Sequence, residues 1–450
     1  MGKTVKIRLM RPLTVVVCCV ILSSCASGLN MNSARLAYDS GDYAAAFEYY
    51  QSQAAQGNIE AQYMLAQMYA SGRGVSQDAS QARSYYKRAA NSGHIDAEMA
   101  LATLYMDEAT YDLARPYLER SSERGNVSAK YFLGTMYQNG FGVSQNMDRA
   151  LEFYHAAADG NNGAAQHTLS LMYEMGNGTV NVDKARSRAL MISAAQNGSG
   201  AAQYTVAHWV LEGKENVVNR RQAVTWMRSA ADKGVMESQR DIATMYRDGD
   251  SVDQDMASAF KYYKLAAEQG SAQAQHDLAN IYRKNDGVER DISLALKWYR
   301  AAVEQNYTLA EYDLGSMYYF GLGVEQNVKE ATKLFTMAGN KGHAMAQYFI
   351  GNIYRIGQGV IVDEAAALEW YKRAAEQDMP EAQANLGYMY SNGQGTERDY
   401  IRSHMWFSIS VINDNLSARQ AMQFIESEMT AEEIERARQM ARDWLAAHGK

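Results

Sequence analysis

The residues of this chain that could do chemistry are few, and the clearest of them are regularly spaced. Asp241, Asp277 and Asp313 stand 36 residues apart in succession, and a small polar residue follows each three positions later: Thr244, Asn280 and Ser316. Residues three apart share one side of a helix, so each pair would belong to a single polar strip. Three carboxylates held in register offer a template for a basic helix or loop of a partner. The plainer alternative is a solvated face, or a polar slot that bonds the neighbouring turn. Exposed ion pairs contribute only about 0.2–1 kcal/mol each, so a partner-binding ladder would act on orientation and on-rate more than on affinity. The two readings differ in a measurable way. Changing all three to asparagine leaves stability nearly unaltered in the first and lowers it where the residues bond the next repeat.

Catalytic and metal-binding patterns do not emerge. Of the eight histidines, His94 and His343 occupy equivalent turns, and His167 and His276 share one helical position three repeats apart, too distant for a common metal. His155, His208, His404 and His448 have no His or Cys partner at ligand spacing. There is no Gly-x-Ser-x-Gly elbow and no His-Glu-x-x-His helix. Gly-x-Gly pairs such as Gly72–Gly74 lack the third glycine and follow helices instead of strands, so they read as helix stops, not phosphate cradles. No catalytic residue, metal or cofactor is assigned.

The three cysteines concern address. Cys18, Cys19 and Cys25 all precede residue 26. A basic start (Lys3, Lys6, Arg8, Arg11) leads into an apolar run over 13–22, about half of the roughly 20 residues a spanning helix needs. That is the layout of a secretory signal. Leu22-Ser23-Ser24-Cys25 resembles a bacterial lipobox, which implies lipidation of Cys25. Ala26 and Ser27 follow, with no aspartate in second place, which by lipoprotein sorting rules implies the outer membrane. No cysteine follows Cys25, so a disulfide framework is excluded.

The elements that must position these residues follow one period. Ala61, Ala97, Ala129, Ala165, Ala202, Ser238, Ala274, Ala310, Ala346 and Ala382 mark equivalent places, mostly 36 residues apart. Within a unit, Ala61, Leu65, Met68 and Tyr69 make one apolar helical stripe, and Ala82, Tyr85, Tyr86, Ala89 and Ala90 make a second. One such pair cannot bury its face alone, so neighbours must stack into a solenoid. The unit of Ala97 is four residues short, lacks the glycine loop and carries Pro116, which predicts a change of curvature there. Thr430-x-x-Glu433 reads as a capping box opening a last helix through Ile434, Ala437, Met440 and Trp444. Three prolines in 450 residues suit a helical protein, and a net charge of −7 gives no pull on phosphate backbones, so nucleic acid is not expected as a partner.

The Ala-x-x-x-Leu-Gly-x-x-Tyr helix, the Gly-x-Gly-Val loop (Gly321 to Val324, Gly357 to Val360) and the Trp/Tyr-Tyr-x-x-Ala-Ala helix (Trp298 to Ala302, Trp370 to Ala375) resemble the Sel1-like repeat family, relatives of the tetratricopeptide repeat. The loop departs from the pattern at Gly213–Val217 and at Asn285–Gly287. The resemblance implies an all-α, right-handed solenoid of about ten 36-residue helix-turn-helix repeats with helical caps. The expected organisation is a signal over 1–24, a lipid-anchored linker and capping pair over 25–58, the repeats over 59–415 and capping helices over 416–450. It also implies a non-enzymatic scaffold that binds envelope proteins, such as an outer-membrane porin or periplasmic secretion components, and meets the membrane through its lipid. The stretch Gly41–Tyr50 with Ala54–Gly57 is similar to the lipoprotein scaffold of alginate export, which points to exopolysaccharide secretion. Two alternatives stay open: a periplasmic regulator of a sensor or cell-wall enzyme, and a β-lactamase-like enzyme. The enzyme relatives carry paired cysteines in each repeat, and this chain carries none.

Overall fold

The computed structural model describes residues 30–176, 179–413 and 415–449; the signal segment and Cys25 lie outside them. The described residues form twenty-four α-helices and no strand. They divide into two compact units, with the division between Val206 and Ala207. The first unit holds α1 (Met31–Asp39), α2 (Tyr43–Ala55), α3 (Ile59–Ser71), α4 (Ala79–Asn91), α5 (Ile95–Asp107), α6 (Tyr111–Glu123), α7 (Val127–Asn139), α8 (Met147–Asp159), α9 (Gly163–Met175) and α10 (Lys184–Gln196). The division falls inside α11 (Gly200–Leu211). The second unit continues with α12 (Arg220–Asp232), α13 (Met236–Asp248), α14 (Met256–Glu268), α15 (Ala272–Lys284), α16 (Ile292–Glu304), α17 (Thr308–Phe320) and α18 (Val328–Asn340). It ends with α19 (Ala344–Ile356), α20 (Glu364–Ala375), α21 (Pro380–Asn392), α22 (Tyr400–Ile412), α23 (Leu416–Glu426) and α24 (Ala431–Ala447). From α1 to α10 and from α12 to α23, each helix packs on the one before and the one after, the stacking of an α-solenoid. The last helix breaks the rule, since α24 packs on α22.

The phase alanines explain this closeness. All nine are fully buried, as is Ser238 in the tenth place, so first helices approach with almost nothing between backbones. Ser238 is tolerated there because its hydroxyl donates to the Met227 carbonyl at 2.6 Å. Large side chains come from the second helices: Tyr154, Tyr263, Tyr299, Tyr371, Phe335 and Phe407 are all buried. Burial pushes the phenols of Tyr154, Tyr263, Tyr299 and Tyr371 up to about 12.

The glycine loop does more than stop a helix. Gly72 caps α3 in the left-handed conformation (φ 69°), as a helix end prefers. Gly74 instead seats the loop on the preceding repeat: a Cβ there would lie 2.4 Å from the Tyr43 carbonyl oxygen. Where the first glycine is absent, Asn285 takes the left-handed cap (φ 64°), a conformation its short polar side chain tolerates. Pro116 sits inside α6, which runs through it as one helix. Pro380 opens α21, where a missing N–H costs nothing. The Thr430–Glu433 capping box is formed and starts α24.

A buried polar slot, one place past the phase residue, ties successive pairs together. There Gln239, Gln275, Gln347 and Gln383 are buried, and each donates to a carbonyl ending the preceding second helix, such as Gln347 to Gly339 at 2.8 Å. Each also accepts from a residue 30 places on: Gln269, Gln305, Gln377 or Asn413. Glu98 and Glu311 replace the glutamine in two repeats, and there the partners turn basic. Arg120 and Arg124 meet Glu98 at 3.2 and 3.4 Å, and Lys341 meets Glu311, a fully buried residue. Ser92 is too short for the role, and Gln62 keeps an unpaired Oε1.

Candidate interaction surface

The acidic ladder lies within the second unit, on α13, α15 and α17. None of its carboxylates stands free in solvent: the Asp241, Asp277 and Asp313 side chains are 25%, 17% and 26% exposed. Asp241 is paired with Arg240 at 2.7 Å. Asp277 has the Arg247 guanidinium at 3.7 Å and His276 Nδ1 at 3.6 Å. Asp313 accepts from His276 Nε2 at 2.8 Å, across from α15 to α17. The imidazole therefore lies between carboxylates of successive repeats. Burial works against its protonation, but the carboxylates of Asp277 and Asp313 outweigh burial and hold its pKa above the ordinary value. For Asp313, burial pushes upward and the imidazole bond wins, so its pKa falls below the usual carboxylate range.

The companion residues are engaged as well. Thr244 Oγ1 and the Tyr263 hydroxyl are 2.9 Å apart, and Tyr299 donates to Asn280 Oδ1 at 3.0 Å. Asn352 repeats the arrangement, accepting from Tyr371 at 2.7 Å. These polar side chains are thus the partners that let a second helix bury a tyrosine, as a buried hydroxyl requires. Ser316 bonds its own helix at the Tyr312 carbonyl. Phe335 fills the tyrosine place in that repeat and has no hydroxyl to serve. The sequence located the ladder but not its partner His276, which comes into contact only when α17 stacks on its predecessors.

Three of the other singled-out histidines are structural here. His94 and His343 cap α5 and α19 through Nδ1, accepting from Ala97 and Ala346 at 3.2 Å. Each also stacks on the tyrosine of the preceding repeat, Tyr63 or Tyr312, at 4.4 Å. His404 is buried on α22 and bonds Glu426 of α23 at 2.8 Å. Among the described residues no group of three His, Cys, Asp or Glu could hold a metal ion. No described helix is long and apolar enough to cross a membrane.

Open apolar chemistry lies further along the second unit. Phe320 is 53% exposed, Ile356 58% and Phe424 72%. Beneath α23 lies a cavity of about 610 Å³ whose lining includes Tyr388, Phe407, Ala421 and Phe424. It falls within the size range of ligand pockets.

Stacked helix pairs with a buried small-residue seam and a variable surface define a helical-repeat interaction protein. The Sel1 repeat model matches residues 35–58, 59–94, 127–162, 163–199, 200–235, 237–271, 272–307, 308–343, 344–379 and 380–411, and the chain belongs to the Sel1 repeat family. The match includes 35–58, inside the segment 25–58 expected as linker and capping pair, and passes over 95–126, which still folds as the pair α5 and α6. Among solved structures, a protective antigen of uropathogenic Escherichia coli displaying an SLR fold is 27% identical, with 89% of this chain and 94% of that chain covered and a TM-score of 0.59. A Sel1 repeat protein from Oxalobacter formigenes is also 27% identical, with 69% and 90% covered and a TM-score of 0.48. No curated protein matches the chain. Sel1 repeat proteins act as scaffolds for protein interaction, and their fold is typically non-catalytic.

Proposed function

We propose that this chain is a non-enzymatic scaffold tethered to the outer membrane through lipid on Cys25, and that it assembles an exopolysaccharide secretion complex of the alginate type. The observation that carries the tether is the apolar run closing on Leu22-Ser23-Ser24-Cys25. The similarity of Gly41–Tyr50 to the alginate-export scaffold supports the pathway. An acidic chain repels an acidic polysaccharide, so its contacts in such a complex are with proteins: a porin or periplasmic secretion components. Asp241, Asp277 and Asp313 contribute to that surface as an orienting strip for a basic partner segment. Their outward field is tempered by Arg240, Arg247 and His276.

The tether is tested by Cys25→Ser. The variant moves from the outer-membrane fraction to the soluble periplasm, because acyl chains contribute about 0.8 kcal/mol per buried CH₂ and are lost with the thiol. Retention in the outer membrane would refute the tether. For the pathway, the tagged wild-type chain is crosslinked in envelopes. Recovery of a porin or polysaccharide-secretion component supports the reading, and recovery of a sensor kinase alone replaces it with a regulatory role.

A further inference from the structure

The repeat register explains why a cavity exists beneath α23. Ala418 lies 36 residues after the phase residue Ala382 and is fully buried, so α23 is one more first helix in phase. Three places past the phase residue, α19 carries Phe349, whose ring lies flat on Phe335 of α18 at 5.2 Å and 12°. Two repeats later the corresponding residues are Ala421 and Phe407. Alanine cannot reach where phenylalanine reaches, so the Phe407 ring is left uncovered on the side where the 610 Å³ cavity lies. Phe407 and Ile425 form its buried floor, while Tyr388, 42% exposed, and Phe424, 72% exposed, stand at the rim. Phe424 makes no ring contact with another aromatic among the described residues, so its ring is open for something outside the fold to cover.

Charge narrows what that something is. Arg398 is the one charged side chain lining the cavity. It is exposed, its guanidinium lies 5.9 Å from the centre of the Tyr400 ring, and it has no ion pair among the described residues. In a chain of net charge −7, an unpaired guanidinium over an apolar seat selects an anion joined to an apolar group. A C-terminal residue carries its side chain and its carboxylate on the same Cα, which fits a seat and a cation sharing one small cavity.

We propose that this cavity receives the C-terminus of a partner polypeptide, an aromatic or large aliphatic terminal side chain seating between Tyr388 and Phe424 and its carboxylate meeting Arg398. The site deepens the scaffold reading, on which it rests, by giving the partner a chemistry.

The test uses the full folded chain and a fluorescein-labelled peptide, Gly-Ser-Gly-Ala-Phe, with a free carboxylate or as its amide, in fluorescence polarisation. The free acid binds saturably, and the amide binds at least tenfold more weakly. Ala421→Phe places a ring over Phe407 inside the cavity and weakens the free acid at least tenfold; Phe424→Ser, at an exposed position, does the same should the first variant lose its fold. Arg398→Gln removes the preference for the acid. The site is overturned by no saturable binding of the free acid, by equal binding of acid and amide, or by unchanged binding to folded Ala421→Phe and Phe424→Ser. If the peptide fails while crosslinking still recovers envelope partners, the site falls and the scaffold stands.

Discussion

Asp313 and Ala421 hold the same place in their repeats, three positions past a buried phase alanine, and they make opposite surfaces. Asp313 takes a bond from His276, and Tyr299 beneath is bound by Asn280 and Arg283. Every strong group there has a partner inside the fold. Ala421 lies over Phe407 and leaves a cavity rimmed by exposed aromatics and a cation without a carboxylate. The backbone register is common to both. What differs is whether the side chain at that place reaches its neighbours, so a repeat can consume its surface in stabilising the stack or leave it open to another chain.

The largest effect is expected where the surface is wholly consumed. Lys341→Gln leaves the fully buried Glu311 without its cation and lowers stability by about 3 kcal/mol, since an uncompensated buried charge is costly. Adding Glu311→Gln recreates the Gln347–Gln377 arrangement of another repeat and restores most of the loss. Denaturant unfolding of both variants measures this, and failure of the second change to rescue the first would break the equivalence of the repeats.

A smaller loss, about 2 kcal/mol at pH 6, is expected for His276→Gln, which removes the charge-assisted bond to Asp313 and the ion pair with Asp277. Its pH dependence has a definite sign. The folded pKa of His276 is raised, so its contribution is complete below the unfolded value of about 6.5 and disappears as pH rises through the folded value. The folded pKa of Asp313 is lowered, so its contribution is present above about 4 and disappears as pH falls through the folded value. The gap between wild type and variant is therefore widest between these limits and closes towards pH 9. A gap constant from pH 5 to 9 would show that the imidazole acts by packing alone. The Asp241→Asn, Asp277→Asn, Asp313→Asn triple variant separates the two roles: a loss like that of His276→Gln assigns the aspartates to the stack, and unaltered stability with weaker partner capture keeps the orienting strip.

The smallest change is expected at the open place. Ala421→Phe adds a ring to an existing cavity and alters stability by less than about 1 kcal/mol in either direction, read from thermal unfolding. A loss as large as that of His276→Gln would mean that the two surfaces do not differ in kind.

Much of the repeat architecture was legible because it depends on local rules. Fully buried alanines at one phase, glycine at helix ends and the Thr430–Glu433 box each act within a few residues, and the structure forms them all. The second loop glycine was legible only in part. Its necessity comes from Tyr43, some thirty residues earlier, so a helix-stop reading sees half its role. The candidate surface was legible as a spacing and no more. Three aspartates in register identify the place, but their exposure depends on side chains brought from other helices.

By itself, then, the sequence determined the period, the two-helix unit, the small-residue seam and the loops, because each follows from the preferences of residues a few positions apart. Tertiary structure alone decided which polar groups are spent and which are left over. The partner of Asp313 lies 37 residues away and that of Glu311 lies 30 away, and the space over Phe407 exists only once α23 has stacked in register with an alanine where α19 has a phenylalanine. Those outcomes depend on reach and burial between layers of the stack, quantities that no single helix contains.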